Sequence, residues 1–233
     1  MEWGAKIIRW SAAPELEGAF EFGNFLRENG ILPSIGHTEA DFDTVKKAFS
    51  AGYTHITHLY SCMTSVHRKN AFRYAGVVEA AYLMNDMTVE IIADGIHLPP
   101  PLLEMVYRFI GPDRTVLITD SMRAAGAGDG ESILGSLVWG QKVIVEDGVA
   151  KLPDRSAFAG SVATMDRAVR TMLKNTSATL CDTIQMAAST PAKIAGLKTK
   201  GILAPGMDAD IIIFDDNINI NMTIINGDII YKI

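Results

Sequence analysis

The chain has 233 residues, 48% of them hydrophobic, which fits one large domain or two small ones around a sizeable core. Its net charge is −6 and its 21 basic residues form no run, so nothing favours a nucleic-acid partner. The two cysteines lack metal-site spacing, no signal-type start occurs, and every apolar stretch is shorter than the ~20 residues that span a bilayer, so we expect a cytoplasmic protein without a membrane partner.

The first half of the sequence alternates between strand-like and helix-like patterns. The predicted elements are strand 7–12, helix 16–28, strand 31–35, helix 39–51, strand 55–60, helix 77–84, strand 89–93, helix 101–109 and strand 116–119. This alternation indicates a parallel sheet with helices packed on it. Because a closed TIM-like (β/α)8 barrel needs eight strands, we predict an α/β fold that is part of such a barrel.

The second half contains more turn signals. We predict a glycine-rich loop at 124–130, a β-hairpin at 142–146 and 149–152, helices at 162–174 and 180–188, and short strands within 201–233. The predicted partial barrel comprises residues 1–134 and 157–197. The hairpin and the carboxyl-terminal strands, residues 135–156 and 198–233, form part of a small β-sandwich.

Two histidines, His37 and His58, end predicted strands and are 21 positions apart. The carboxyl ends of barrel strands converge on one face, and neutral imidazole is a good zinc ligand. A catalytic zinc site typically has three protein ligands, and two polar strand-end residues satisfied by hydrogen bonds fit this spacing equally well.

A third histidine, His55, competes with His58 for the inward position. Residues three apart on a strand point to opposite faces of the sheet, so only one of the two can face the barrel interior. We choose His58, which is nearer the strand end. We expect His55 to face the helix layer as a buried, hydrogen-bonded group.

Two aspartates also end predicted strands. Asp120 follows the most hydrophobic strand, where a carboxylate can bind metal and take a proton from an attacking water. A role in capping the following turn fits Asp120 equally well. For Asp94 we favour a turn role, because Gly95 follows at once.

The remaining polar candidates lie in loops. His97 follows a strand and can donate a hydrogen bond to a substrate oxygen, whereas His67 is expected to be solvated. Arg68, Lys69 and Arg73 form the one local cationic cluster, and arginine is suited to binding phosphate. A solvated charged loop is the alternative.

A series of short strings occurs along nearly the whole chain. They are Ala13-Pro14-Glu15, Gly36-His37-Thr38, Thr57-His58-Leu59-Tyr60, Ala93-Asp94-Gly95-Ile96-His97, Leu117-Ile118-Thr119-Asp120, Ala159-Gly160-Ser161, Thr190-Pro191-Ala192 and Pro205-Gly206-Met207-Asp208-Ala209-Asp210. In order and spacing they resemble the N-acetylglucosamine-6-phosphate deacetylases of the amidohydrolase superfamily. The resemblance implies barrel strands four to eight and the last strands of a small β-sandwich.

The resemblance also implies an activity, namely removal of the acetyl group from an amino-sugar phosphate. His37 and His58 match ligands of a divalent metal ion, with zinc expected and iron or another divalent ion as alternatives. Asp120 matches the residue that activates water and protonates the leaving nitrogen, and His97 matches a substrate contact. Arg73 best matches an arginine that grips the phosphate from a neighbouring subunit, which implies a homodimer. Further substrate-binding positions are Ser61, Cys62 and Ala159.

The sequence departs from this family in three places. The early His-x-His motif and the metal-binding glutamate are absent, and Ser61-Cys62 replaces an Asn-Ala pair. Glu17, in Leu16-Glu17-Gly18-Ala19-Phe20, imitates the glutamate motif but lies only 20 residues before His37, with no room for a βα unit between them. We therefore reject Glu17 as a ligand and predict impaired activity for this chain alone.

Two alternative functions remain. One is a non-catalytic module that binds a sugar phosphate or supports a partner subunit, and the other is a different amidohydrolase, such as a dihydroorotase-like enzyme. A partial barrel leaves two parallel-sheet edges and an apolar inner face exposed, which predicts a dimer or larger assembly.

Overall fold

The computed structural model describes residues 7–233, along which the chain forms strands and helices in close alternation. The strands are β1 (Arg9–Ala12), β2 (Leu32–Ile35), β3 (His55–Ile56), β4 (His67–Lys69), β5 (Phe72–Tyr74), β6 (Thr88–Ile92), β7 (Thr115–Ile118), β8 (Gly130–Leu134), β9 (Gln141–Glu146), β10 (Val149–Lys151), β11 (Ile211–Phe214), β12 (Ile220–Ile225) and β13 (Asp228–Lys232). The helices are α1 (Ala19–Glu28), α2 (Phe42–Ser50), α3 (Val77–Leu83), α4 (Pro100–Phe109), α5 (Met165–Asn175), α6 (Leu180–Ala187) and α7 (Ser189–Ile194).

The main sheet has five parallel strands in the order β1-β2-β3-β6-β7. Its strands lie side by side in the order in which they occur in the chain, with helices in the connections. This is the order of a (β/α)8 barrel and not of a doubly wound sheet, in which the strand order reverses. The predicted α/β fold is therefore confirmed as part of a barrel.

The main core lies between this sheet and its helices. Side chains of a strand alternate between the two faces, so every second residue faces the helix layer. Fully burying one aliphatic side chain contributes roughly 1.5–3 kcal/mol, so this layer supplies much of the stability that holds the strand ends in place. Its buried members include Ile35, Ile56, Val89, Ile91 and Leu117 from the strands and Val45, Ala48, Val77, Leu103, Val106 and Met172 from the helices.

The opposite, inner face of the sheet is partly polar, which corrects the prediction of an apolar inner face. Several polar side chains line one cavity on this side: Arg9, His55, Thr57, Glu90 and Asp120. His55 is buried, with Nδ1 2.7 Å from the Thr88 hydroxyl and Nε2 3.2 Å from Glu90 Oε1. The prediction that His55 is buried and hydrogen-bonded is confirmed, but the prediction that it faces the helix layer is wrong.

His55 and His58 do not alternate along one strand, because β3 ends at Ile56 and not at residue 60. After Ile56 the backbone leaves the strand, and both His58 and Tyr60 have positive φ angles, of 32° and 78°. His58 is therefore not on the strand, and its side chain does not follow the two-residue period. His55 and His58 can both lie on the inner side of the barrel.

Two three-stranded antiparallel sheets lie outside the main sheet, β8-β9-β10 and β11-β12-β13. β9 and β10 confirm the predicted hairpin, and the last three strands confirm the predicted strand-rich tail. β8 was not predicted, and it lies within residues 1–134, which were assigned to the barrel. Residues 1–6 of that predicted segment lie outside the described residues. The first small sheet has its own core, formed by Met122, Ala124, Val143, Val145, Ala150 and Ala159.

Other boundaries also differ from the prediction. The hairpin β4–β5 lies in a predicted loop, because its mainly charged and exposed residues show no apolar alternation. Helix α1 begins at Ala19 and not at residue 16, after Gly18 adopts a left-handed conformation with φ 77°. Helix α7 was not predicted. In the described part of the chain, no helix has the length and apolar character to cross a bilayer.

Candidate functional site

The backbone at the strand ends places three of the predicted site residues in an unusual conformation. His37, His58 and Asp120 follow β2, β3 and β7, and have φ angles of 50°, 32° and 48°. A left-handed conformation costs a non-glycine residue roughly 1–2 kcal/mol, so the packed surroundings must maintain it. Each strand therefore ends in a sharp change of direction.

The two predicted metal ligands meet through their ring nitrogens. His37 Nε2 lies 3.0 Å from His58 Nε2, and the rings are nearly perpendicular with centroids 4.7 Å apart. Two nitrogens bound to one tetrahedral zinc ion stand roughly 3.3 Å apart. The two rings are within hydrogen-bond distance, and their separation is also close to that of two ligands of a single divalent ion.

The environment of His58 favours the neutral ring that metal binding requires. His58 is buried, whereas His37 is exposed. Burial lowers the pKa of His58, and the charge of His37 lowers it further, against opposing effects from Asp120 and Glu90. His58 Nδ1 is buried with no hydrogen-bond partner among residues 7–233, so this part of the chain does not supply the usual acceptor behind the ligand.

The third metal ligand is not found in the described part of the chain. No group of three His, Cys, Asp or Glu side chains that could hold a metal occurs within residues 7–233. Glu17 is exposed in a turn before α1 and belongs to no such group. Within residues 7–233, the predicted ligand set therefore consists of the two histidine nitrogens.

Asp120 lies on the same side of the sheet as the histidine pair. Its side chain is exposed and lines the inner cavity, and its charge acts on the pKa of His58. The backbone of Asp120 is held by Ser161, whose N–H donates to the Asp120 carbonyl at 3.1 Å. A carboxylate in this position can exchange protons with a molecule bound beside the histidines.

His97 is held in place by Asp94. The His97 Nδ1 atom lies 2.8 Å from Asp94 Oδ2, and Asp94 Oδ1 accepts hydrogen bonds from the backbone N–H groups of Ile96 and His97. The predicted turn role of Asp94 is confirmed. The ring of His97 lies 4.8 Å from that of Phe158.

The cationic cluster lies on the hairpin β4–β5. Arg68 pairs with Arg73 across the two strands, and both are exposed. The ring of His67, which was predicted to be solvated, is partly buried and stacks on that of Tyr74 at 5.8 Å. Within residues 7–233, no hydrogen bond or ion pair joins Arg73 to the histidine pair.

Two of the other predicted substrate positions, Ser61 and Cys62, contact the histidine loops through their backbones. The Ser61 N–H donates to the carbonyl of His58 at 2.9 Å, and the Cys62 carbonyl accepts from Thr38 at 3.0 Å. Ala159 is buried in the small core beside Met122. Ser61 and Cys62 therefore lie beside the loops that carry the two histidines, whereas Ala159 lies beside Met122, two residues after Asp120.

Sequence reasoning assigned no role to two residues that stabilise the site loops. The Glu15 carboxylate accepts hydrogen bonds from the Thr38 hydroxyl and from the Glu39 N–H, directly after His37. Arg167 donates to the carbonyl of Asp94 at 3.1 Å and to that of Gly148 at 2.9 Å. Glu15 lies in the matched string Ala13-Pro14-Glu15, and Arg167 lies in Thr164-Met165-Asp166-Arg167, a further string that resembles the same family.

Comparison with known proteins shows which proteins the chain is similar to. The model of the amidohydrolase family matches residues 27–230. An N-acetylglucosamine-6-phosphate deacetylase from Lysinibacillus sphaericus is 38% identical over 224 residues, which are 96% of this chain and 56% of that protein. The chain therefore spans about half the length of this curated relative.

Solved structures give the same result. The crystal structure of N-acetylglucosamine-6-phosphate deacetylase from Thermotoga maritima matches with a TM-score of 0.89 at 30% identity, over 98% of this chain and 60% of that one. A variant of the Mycobacterium smegmatis enzyme in complex with N-acetyl-D-glucosamine-6-phosphate matches with a TM-score of 0.87 at 31% identity, over 95% of this chain and 57% of that one.

Proposed function

The chain belongs to the amidohydrolase family, and we propose that it is part of a metal-dependent deacetylase acting on N-acetylglucosamine 6-phosphate. The observation that carries this proposal is the convergence of His37 Nε2 and His58 Nε2, 3.0 Å apart, at the ends of neighbouring strands. The identity of the substrate is proposed from the relatives that are named as N-acetylglucosamine-6-phosphate deacetylases. The products are acetate and glucosamine 6-phosphate.

His37 and His58 would hold the divalent ion through their Nε2 atoms, with zinc proposed because imidazole suits it. When bound, such an ion polarises the acetamide carbonyl and makes water easier to deprotonate. Burial keeps His58 neutral by lowering its pKa, so its lone pair is available near neutral pH.

Asp120 is proposed as the general base and acid. Its carboxylate takes a proton from water as the water oxygen bonds to the acetamide carbon. It then gives the proton to the sugar nitrogen as the carbon–nitrogen bond breaks, which releases acetate and the free amine. Its exposed position at the rim of the inner cavity supports this role, because the carboxylate can reach solvent and substrate.

His97 and Arg73 are proposed to orient the substrate. The Asp94 carboxylate holds His97 Nδ1, so Nε2 is presented to a substrate oxygen. Arg73 offers a planar guanidinium that can grip a phosphate with two hydrogen bonds. We propose that Arg73 acts in a neighbouring subunit of a homodimer, with Ser61, Cys62 and Ala159 completing the sugar-phosphate contacts.

The two free cysteines, Cys62 and Cys181, support a reducing, cytoplasmic location.

An activity assay with a chimera tests the proposal. This chain alone is expected to release little acetate, because a third metal ligand is missing from residues 7–233. A chimera with the amino-terminal part of the Lysinibacillus sphaericus relative is expected to release acetate from N-acetylglucosamine 6-phosphate with zinc. Asp120→Asn should then lower kcat by about 100-fold or more, since general acid–base groups contribute 10²–10⁴-fold.

His67→Ala in the same chimera is the matched control. His67 lies on the hairpin, and its side chain forms a hydrogen bond only with the backbone of Ser65 among the described residues. Its kcat should stay unchanged. A folded, zinc-loaded chimera that releases no acetate would contradict the proposed activity.

The incomplete ligand set favours one second candidate, a module that binds the sugar phosphate without catalysis. Calorimetry on this chain with N-acetylglucosamine 6-phosphate, with and without zinc, separates the two functions. Binding that does not depend on zinc supports the module, whereas binding that requires zinc supports the deacetylase site.

A further inference from the structure

A cluster of three hydroxyl groups lies beside the histidine pair on the inner face of the sheet. We call it the hydroxyl cluster; it consists of Ser11 on β1, Ser34 on β2 and Thr57 directly after β3. Thr57 Oγ1 lies 2.7 Å from Ser11 Oγ and 2.7 Å from Ser34 Oγ. Ser34 and Thr57 are buried, so the hydrogen bond between them is shielded from water, whereas Ser11 lies at the exposed side of the cluster.

The Thr57 hydroxyl is the centre of this cluster. A hydroxyl donates one hydrogen bond and accepts two. Besides the two serines, Arg9 Nη1 lies 3.5 Å from the same oxygen. Thr57 thus uses its full hydrogen-bonding capacity to join the ends of three neighbouring strands.

Thr57 also packs against the residue that precedes the other histidine. A Cβ atom added to Gly36 would lie 3.0 Å from Thr57 Cβ, tighter than an ordinary contact. The Thr57 N–H donates to the Ile35 carbonyl at 2.8 Å, just before Gly36. The residues immediately before His37 and His58 are therefore in direct contact.

The histidines need such support because of their backbone conformation. His37 and His58 are both non-glycine residues with positive φ. Without firm contacts on either side, each would relax toward an ordinary conformation and carry its ring nitrogen away. The contacts on the preceding residues, Gly36 and Thr57, oppose that relaxation.

We propose that Thr57 is a positioning residue that holds His37 and His58 at the spacing required to bind one divalent cation. Its hydroxyl fixes the three strand ends, and its Cβ fixes the approach to Gly36. Thr57 itself does not touch the cation. This inference rests on the metal site of the proposed function.

Zinc affinity tests the inference without any measurement of activity. Thr57→Val has a similar shape but lacks the hydroxyl, and should weaken zinc binding by about 10- to 100-fold, as loss of groups that orient metal ligands does. Thr57→Ser retains the hydroxyl and should restore most of the affinity. Dissociation constants are measured by competition with a chromophoric chelator, and the absorption spectrum of bound Co²⁺ reports the ligand geometry.

Thr88→Val is the matched control. The Thr88 hydroxyl is on the same face of the sheet, 2.7 Å from His55 Nδ1, and does not contact the hydroxyl cluster. This variant also loses an inner-face hydroxyl and should bind zinc as the parent chain does. If Thr57→Val does not fold, Ser34→Ala tests the same hydrogen bond from the other side and should also weaken binding.

The outcomes separate this inference from the proposed function. Zinc binding that His37→Ala does not reduce in the parent chain would overturn both the metal site and the role of Thr57. Zinc binding that depends on His37 but is unchanged in Thr57→Val would overturn the role of Thr57 alone. Equal weakening by Thr57→Val and Thr88→Val would overturn it too, since it would indicate general loosening of the sheet.

Discussion

At the scale of single residues, Asp94 connects the backbone of its loop to the ring of His97. It accepts hydrogen bonds from the N–H groups of Ile96 at 2.9 Å and His97 at 2.8 Å, and from His97 Nδ1 at 2.8 Å. Burial by itself would raise the pKa of this carboxyl, but the hydrogen bonds to His97 and Ile96 outweigh burial and lower it. The folded state therefore favours the charged form.

This lowered pKa predicts a pH-dependent loss of stability in Asp94→Asn. A carboxyl whose pKa is lower in the folded state stabilises the protein above its ordinary pKa of 3.8, and that stabilisation is lost as the pH falls through the lowered value. At neutral pH, we expect the substitution to lower the free energy of unfolding by about 1–3 kcal/mol, because a buried ring N–H loses its charged acceptor. Urea denaturation at neutral pH and well below pH 3.8 measures the difference.

The difference between Asp94→Asn and the parent chain should shrink at the acidic pH, where the parent carboxyl is protonated as well. Asp216→Asn, at an exposed position, is the control and should leave the free energy of unfolding unchanged at both pH values. Equal stability of Asp94→Asn and the parent at neutral pH would contradict the prediction.

At the scale of elements, helix α1 depends on a glycine in its middle. Glycine costs a helix about 1 kcal/mol relative to alanine. However, a Cβ on Gly23 would lie 2.4 Å from Tyr53 Cε2 and 2.9 Å from the Ala51 carbonyl oxygen. The Tyr53 ring cannot move aside, because it is fully buried and its hydroxyl donates to the Ala19 carbonyl at 2.9 Å.

Steric conflict should therefore outweigh helix propensity in Gly23→Ala. We expect the free energy of unfolding to fall by about 1–3 kcal/mol, the usual cost of overpacking a core. Thermal or urea denaturation measures it. Glu28→Ala, at an exposed position of the same helix, should have little effect. A higher free energy of unfolding in Gly23→Ala would mean that helix propensity outweighs the steric conflict, which would contradict the prediction.

The elements differ in how far their own residues predict them. Helices α2 to α6 and the core strands have apolar periodicity because one side of each packs on the same core. The hairpin β4–β5 lacks that signal, since its residues are mostly exposed and charged. Its form follows instead from contacts such as that of Glu79 with Ser65 and Gly76.

At the scale of the whole molecule, the main sheet ends in strands that pair on one side only. Within the described residues, β1 pairs only with β2, and β7 pairs only with β6. Unpaired strand edges with nearby apolar side chains favour pairing with another chain. Ile8, beside β1, is 52% exposed, and Trp10 within β1 is 44% exposed.

These edges predict association of the chain on its own. Light scattering should give a mass above 25.3 kDa that rises with concentration. Ile8→Lys should reduce association, because a charge at an edge strand opposes pairing. Leu203→Lys, at an exposed apolar position outside the main sheet, should not. A monodisperse monomer of the parent chain at all concentrations would contradict this prediction.

The sequence by itself determined the alternation of strands and helices, the strand-end positions of His37, His58 and Asp120, and the resemblance to a deacetylase family. These features are local, because periodicity, turn residues and motif spacing are written along the chain. Only the tertiary structure decided that His37 and His58 meet at Nε2, that His55 shares the inner face, and that Thr57 packs on Gly36. The left-handed backbone conformation of His37 and His58 has no sequence signal, because contacts between separate strands maintain it.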